Sequence, residues 1–130
     1  MRKTGASFRK SDRLCGVRAV GELFVRGHGI VIPPLKVIYR VLPEDNLISP
    51  VRVLVSVPRK NFRRAVDRNL IRRRIKEAWR LNRHPLTEKM SVPGRRIDLA
   101  LIWIDTEIRS YEITEKCIIE IIERLSHLKY

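Results

Sequence analysis

The sequence predicts an α+β fold: a single domain with helices packed on a small mixed β-sheet. Two observations carry that expectation. Apolar residues follow a helical period in three segments and a strand-like pattern in three others. The segments run helix, strand, strand, helix, strand, helix, without the strict β-α alternation of a wound parallel sheet. No internal repeat and no long linker divides residues 1–130.

Residues 1–13 read as an N-terminal arm, and the stretch from Phe8 to Leu14 is polar and basic with single apolar residues. Leu14, Val17, Val20, Leu23 and Phe24 recur at helical spacing until Gly27 and Gly29, which places a first helix over about residues 16–26. Pro33-Pro34 breaks the chain. Leu35 to Leu42 is rich in Val, Ile and Tyr, Pro43-Glu44-Asp45-Asn46 is a turn cluster, and Val51 to Val57 alternates. These two runs are expected to pair as an antiparallel hairpin. From Phe62 to Arg83 helix formers dominate without Gly or Pro, and Pro85 and Pro93-Gly94 mark a loop. Ile97 to Ile104 is nearly continuous in apolar residues, as in a strand buried on both faces. Cys117, Ile118, Ile121, Ile122 and Leu125 make the apolar stripe of a last helix, with Glu112, Glu115, Glu120 and Glu123 mostly elsewhere.

Charge narrows the function. The chain has 28 Lys and Arg against 14 Asp and Glu, a net +14. A compact fold with that excess repels itself, so a polyanionic partner is expected, either nucleic acid or an acidic membrane surface. No run of apolar residues is long enough for a transmembrane helix. Met1-Arg2-Lys3-Thr4 lacks the apolar run of a secretory signal, so a cytoplasmic protein is expected. Cys15 and Cys117 have no Cys-x-x-Cys spacing and read as reduced thiols without zinc. His28, His84 and His127 are scattered, and no carboxylate cluster or nucleophile motif stands out. No catalytic residue and no protein-held metal are therefore expected.

Residues 59–83 hold eleven basic residues against Asp67 and Glu77, and so carry nine of the net fourteen charges. At helical spacing Ile71, Ile75, Ala78 and Trp79 share one side. Asn69, Arg72, Arg73, Lys76, Arg80 and Arg83 gather on an adjoining flank. Arginine forks match phosphate oxygens, and the Asn69 amide can both donate and accept. A solvated, internally paired helix face fits poorly, because two acids cannot pair so many cations. The basic helix lacks the large apolar face needed for membrane insertion. Nucleic acid is the expected partner, and the charge pattern fits RNA and DNA alike.

The segment from Val57 to Arg80 resembles the signature of the ribonuclease P protein family. Arg59-Lys60 match its basic pair, Arg64-Ala65 its basic-Ala step, Arg68-Asn69 with Arg72-Arg73 its core, and Glu77 with Arg80 its close. Phe8, Leu14, Phe24 with Gly27, Val37-Ile38-Tyr39, Gly94-x-x-x-Asp98-Leu-Ala-Leu-Ile and Tyr111-Glu112 extend the resemblance across nearly the whole chain. Leu70 stands where many members carry a basic residue, and Trp103 where a small or basic one is frequent.

The resemblance implies a left-handed β-α-β crossover, against the usual preference. It also implies a protein subunit of the endoribonuclease ribonuclease P, monomeric in the complex, whose catalytic centre is RNA. Its partners would be the catalytic ribonuclease P RNA and precursor tRNA, and no membrane. The protein would help remove the 5′ leader by binding it and by improving substrate affinity and magnesium use. Mg²⁺ would serve the holoenzyme and be held mainly by RNA. RNA-binding residues would be Arg59, Lys60, Arg64, Arg68, Asn69, Arg72, Arg73, Lys76 and Arg80. Single-stranded RNA is held by aromatic stacking beside a basic groove, and Phe8, Phe24 and Tyr39 could furnish that surface for the leader. Core packing is the competing reading of these aromatics, and the stronger one for Phe24, which lies in an apolar stripe.

Overall fold

The most apolar strand of the chain organises the sheet. The computed structural model describes residues 13–14, 16–44, 50–90 and 94–128. Strand β4 (Gly94–Trp103) lies between β2 (Leu35–Glu44), antiparallel to it, and β3 (Val51–Ser56), parallel to it. Strand β1 (His28–Ile32) pairs antiparallel with β2, giving the order β1-β2-β4-β3. A central strand with both faces covered must be largely apolar on both, and the run from Ile97, broken only by the ion-paired Asp98, meets that demand.

The expected hairpin between residues 35–42 and 51–57 does not form. β4 separates the two strands, and the hairpin is instead β1–β2, turning at Pro33-Pro34, whose peptide bond is cis. A turn cluster between two apolar runs signals a reversal but not which strand fills the gap. Strand β1 has no local signature of its own, because Gly27 before it and Gly29 within it look like helix-ending residues.

Adjacent strand residues point to opposite faces, and the two faces carry two cores. Val37, Val53, Leu99, Leu101 and Trp103 face three helices: α2 (Ala65–Asn82), α3 (His84–Lys89) and α4 (Tyr111–Ser126). Ile38, Leu54, Ala100 and Ile102 face α1 (Val17–Arg26) through its Leu23, Ala19 and Val20, with Leu14, just before the helix, in the same cluster. The chain is thus a sheet with helices on both sides. Ile71, Ile75, Ala78 and Trp79 of α2 are all buried, as are Cys117, Ile118, Ile121, Ile122 and Leu125 of α4, as their spacing predicts. Ser110 starts α4 by accepting from the Ile113 N–H at 3.2 Å. Pro85 does not mark a loop; it sits in the first turn of α3, where a missing N–H is tolerated.

β3, α2, α3 and β4 form a parallel crossover unit, so α2 enters from the end of one strand and is clamped between sheet and α4. That clamp fixes which side of α2 meets solvent.

Candidate nucleic-acid interface

The chain leaves β3 through a tight turn in which Asn61 N–H donates to the Pro58 carbonyl at 3.3 Å and Phe62 N–H to that of Arg59 at 3.2 Å. Phe62 plugs the turn into the main core. Arg59, Lys60 and Arg64 are exposed at this entrance. Arg68 reaches back from α2: its Nη1 donates to the carbonyls of Phe62 at 2.8 Å and Arg63 at 2.9 Å. It therefore straps the turn to the helix and is not simply a cation facing outward.

The next turns of α2 present the predicted row. Arg72 Nη1 donates to Asn69 Oδ1 at 2.7 Å, which uses the amide's acceptor and leaves its NH2 to donate. Arg73 is exposed. Burial holds the Lys76 ammonium below its usual pKa, and the positive charges of Arg13 and Arg72 push the same way. Arg80 grips Glu77 with Nε at 3.1 Å and Nη2 at 2.6 Å, and this hydrogen-bonded pair lowers the Glu77 carboxyl and raises the guanidinium. Arg64 approaches Asp67 at 4.0 Å. Asn69, Arg72, Arg73, Lys76 and Arg80 thus converge on one solvent face, with Arg59, Lys60 and Arg64 at its N-terminal end.

Arg13 belongs to this cluster and sequence reasoning missed it. It bridges to Val53 in parallel, and the Leu14 N–H donates to the Val53 carbonyl at 2.9 Å. The arm's last residues thereby extend the sheet edge and bring Arg13 beside Lys76. No local pattern announces such a pairing.

The aromatic residues divide. Phe24 is 45% exposed on α1, against the expectation of core packing, because Leu23 takes the inward position. Tyr39 is half-buried on the opposite face of the sheet, its ring centroid 5.5 Å from that of His28. Phe24 and Tyr39 therefore do not share one surface, and Phe8 lies outside the described residues. Beside α1, a second basic feature emerges. Asp98, buried in β4, accepts from Arg52 Nε and Nη2, both at 3.0 Å, and from Arg96 Nε at 3.1 Å. In the same row of the sheet Arg40 donates to Glu22 of α1 at 3.0 Å. Three arginines thus sit on the face that α1 covers, a grouping visible only once the register is known.

Among the described residues, no three His, Cys, Asp or Glu side chains come together in a group that could hold a metal ion. No described helix is long and apolar enough to cross a membrane.

Comparison with known proteins places this arrangement. The family model described as Ribonuclease P matches residues 8–106. The chain belongs to the ribonuclease P protein family. A ribonuclease P protein component from Porphyromonas gingivalis is 34% identical over 107 residues, covering 82% of this chain and 77% of that one. Its counterpart from Chlorobaculum tepidum is 40% identical over 85 residues, covering 64% and 55%. Among solved structures, the Staphylococcus aureus RNase P protein superposes with a TM-score of 0.65 at 19% identity, covering 91% of this chain and 97% of that one. The Thermotoga maritima protein gives 0.65 at 20% identity, covering 86% and 96%. These structures share the fold. Against the family pattern, Trp103 is fully buried in the main core, its Nε1 donating to the Glu107 carbonyl at 3.3 Å, while Leu70 lies half-buried beside the basic face.

Proposed function

We propose that this chain is the RNA-binding subunit of ribonuclease P and assists a catalytic RNA in removing the 5′ leader of precursor tRNA. The observation that carries the reading is the solvent face of α2. There Asn69, Arg72, Arg73 and Lys76, joined by Arg13, form a cationic surface on a helix whose other side is locked into the core. Packing like charges this closely is unfavourable until a polyanion neutralises them, and guanidinium forks suit phosphates. In this reading α2 docks on the catalytic RNA. Phe24, exposed on the helix that covers the face carrying the arginines around Asp98, offers a stacking surface for the single-stranded leader. Cleavage is left to RNA and its magnesium ions, and the protein improves substrate affinity and magnesium use.

The test is reconstitution with a bacterial ribonuclease P RNA and precursor tRNA. The complex should cleave at magnesium concentrations where the RNA alone is slow, and the protein alone should not cleave. Turnover by rigorously RNA-free protein would sink the proposal. Failure of the chain to enhance the RNA at any magnesium concentration would do the same.

A further inference from the structure

A groove of about 580 Å³, within the range of ligand clefts, runs along the junction of α2 with the start of α4. Leu70, Arg73, Lys76, Glu77, Arg80 and Tyr111 line it, together with Arg74. The Tyr111 ring packs in part on the main core and in part lines this groove. Its hydroxyl donates to Glu115 Oε2 at 3.3 Å, which anchors it at its polar tip. Glu77, the one acid in the wall, is engaged by Arg80, so its charge is offset. Among the described residues no carboxylate lies within ion-pair distance of Arg73 or Lys76.

The Tyr111 ring and the Leu70 side chain give the groove apolar lining, and Arg73 and Lys76 give it cations suited to an anion. A nucleotide combines those two requirements in one unit, a flat π-surface and a phosphate, and single-stranded RNA is held in this way. We propose that this groove takes one unpaired nucleotide of an RNA strand, its base stacked against Tyr111 and Leu70 and its phosphate on Arg73 and Lys76. Lys76 is held below its usual pKa by burial and by the charges of Arg13 and Arg72, and an incoming phosphate relieves that repulsion. Arg74 is set aside from the ligand, because it donates to the Arg109 carbonyl and ties the two walls together. The inference rests on the reading of α2 as an RNA-facing helix and adds to it an aromatic contact supplied by α4.

The experiment compares the full-length protein binding an oligouridylate and a blunt RNA duplex of equal length. Tyr111→Leu keeps the apolar packing and removes the ring; Tyr111→Trp keeps a ring. Tyr111→Leu should weaken oligouridylate binding by about 5- to 100-fold, the loss for one stacked base, and leave duplex binding unchanged. The Trp variant should bind like the wild type, and the loss should persist in a Phe24→Ala background, which removes the other proposed stacking surface. Thermal melts establish that each variant is folded. Equal losses on duplex and oligouridylate, or none in a folded Tyr111→Leu protein, would overturn the inference. Polyglutamate competing as well as the oligouridylate would also overturn it, by making the groove a general anion site. If Arg73→Ala weakens both RNAs while Tyr111→Leu weakens neither, only the groove fails. If Arg73→Ala also has no effect, the RNA-facing reading of α2 fails with it.

Discussion

Arg68 illustrates how one side chain can carry a structural and a recognition role. Its two hydrogen bonds to the Phe62 and Arg63 carbonyls close the turn that delivers α2. Hydrogen bonds from a charged donor contribute about 1.5–3 kcal/mol each, and partial exposure here favours the low end. Arg68→Ala should therefore lower unfolding stability by about 3 kcal/mol in urea titrations as well as weaken RNA assembly; an unchanged urea midpoint would leave recognition as its only role. Phe24 and Tyr39 separate differently. Because they lie on opposite faces of the sheet, Phe24→Ala should weaken leader-bearing precursor tRNA by about 1–3 kcal/mol and leave mature tRNA nearly unaffected. Tyr39→Ala should have the smaller effect on the leader, and the reverse ranking in folded variants would move the leader to the Tyr39 face. Cys117 is a third case. Burial pushes its thiol up to about 11, opposed by a backbone hydrogen bond at Leu35 and reinforced by the charge of Glu120. A thiol that binds its proton more tightly when folded contributes nothing to pH dependence below its ordinary pKa. Above it, stability is lost as pH rises from 9 toward about 11. Cys117→Ala should lose less stability across that window than the wild type in parallel denaturant titrations, and identical slopes would contradict the raised value.

At the scale of elements, α2 divides its perimeter between two tasks. The wall of Ile71, Ile75, Ala78 and Trp79 docks on the core, and Asn82 closes the end by donating to Glu115 of α4 at 3.0 Å. What remains outward is the cationic face. If it neutralises about six phosphates, log affinity against log salt should fall with a slope near −5 on a duplex-like target. Arg73→Ala should flatten that slope by about one and weaken binding alike across RNA sequences. A slope unmoved by the substitution would take Arg73 out of the interface. The helix was legible as an amphipathic element because four apolar positions at helical spacing point one way. The capture of Arg13 beside Lys76 was not, because it depends on a single bridge to Val53 across the sheet edge.

For the whole molecule, a net charge of +14 on 130 residues makes the free fold self-repelling. Salt and RNA should then act in opposite senses. Raising salt from about 50 to about 500 mM shortens the Debye length from over 10 Å to under 5 Å, so the free protein's Tm should rise. RNA binds the folded state and raises Tm by mass action, and that gain should shrink over the same salt range as binding weakens. Scanning calorimetry with and without RNA reads both trends, and a free protein whose Tm falls with salt would contradict the repulsion argument.

The sequence by itself determined the α+β class, the three long helices, the buried faces of α2 and α4, and a partner of opposite charge. These rest on local periodicity and composition, which the chain carries wherever it folds. The tertiary structure alone decided that β4 lies between β2 and β3, that residues 28–32 make an edge strand, and that Phe24 faces solvent while Leu23 does not. It also decided the gathering of Arg40, Arg52 and Arg96 around Asp98 and Glu22, and of Tyr111 and Arg73 in one groove. Strand order and cross-chain neighbours follow from which surfaces bury one another most completely. That competition is settled among segments far apart in sequence, where no local spacing records the outcome.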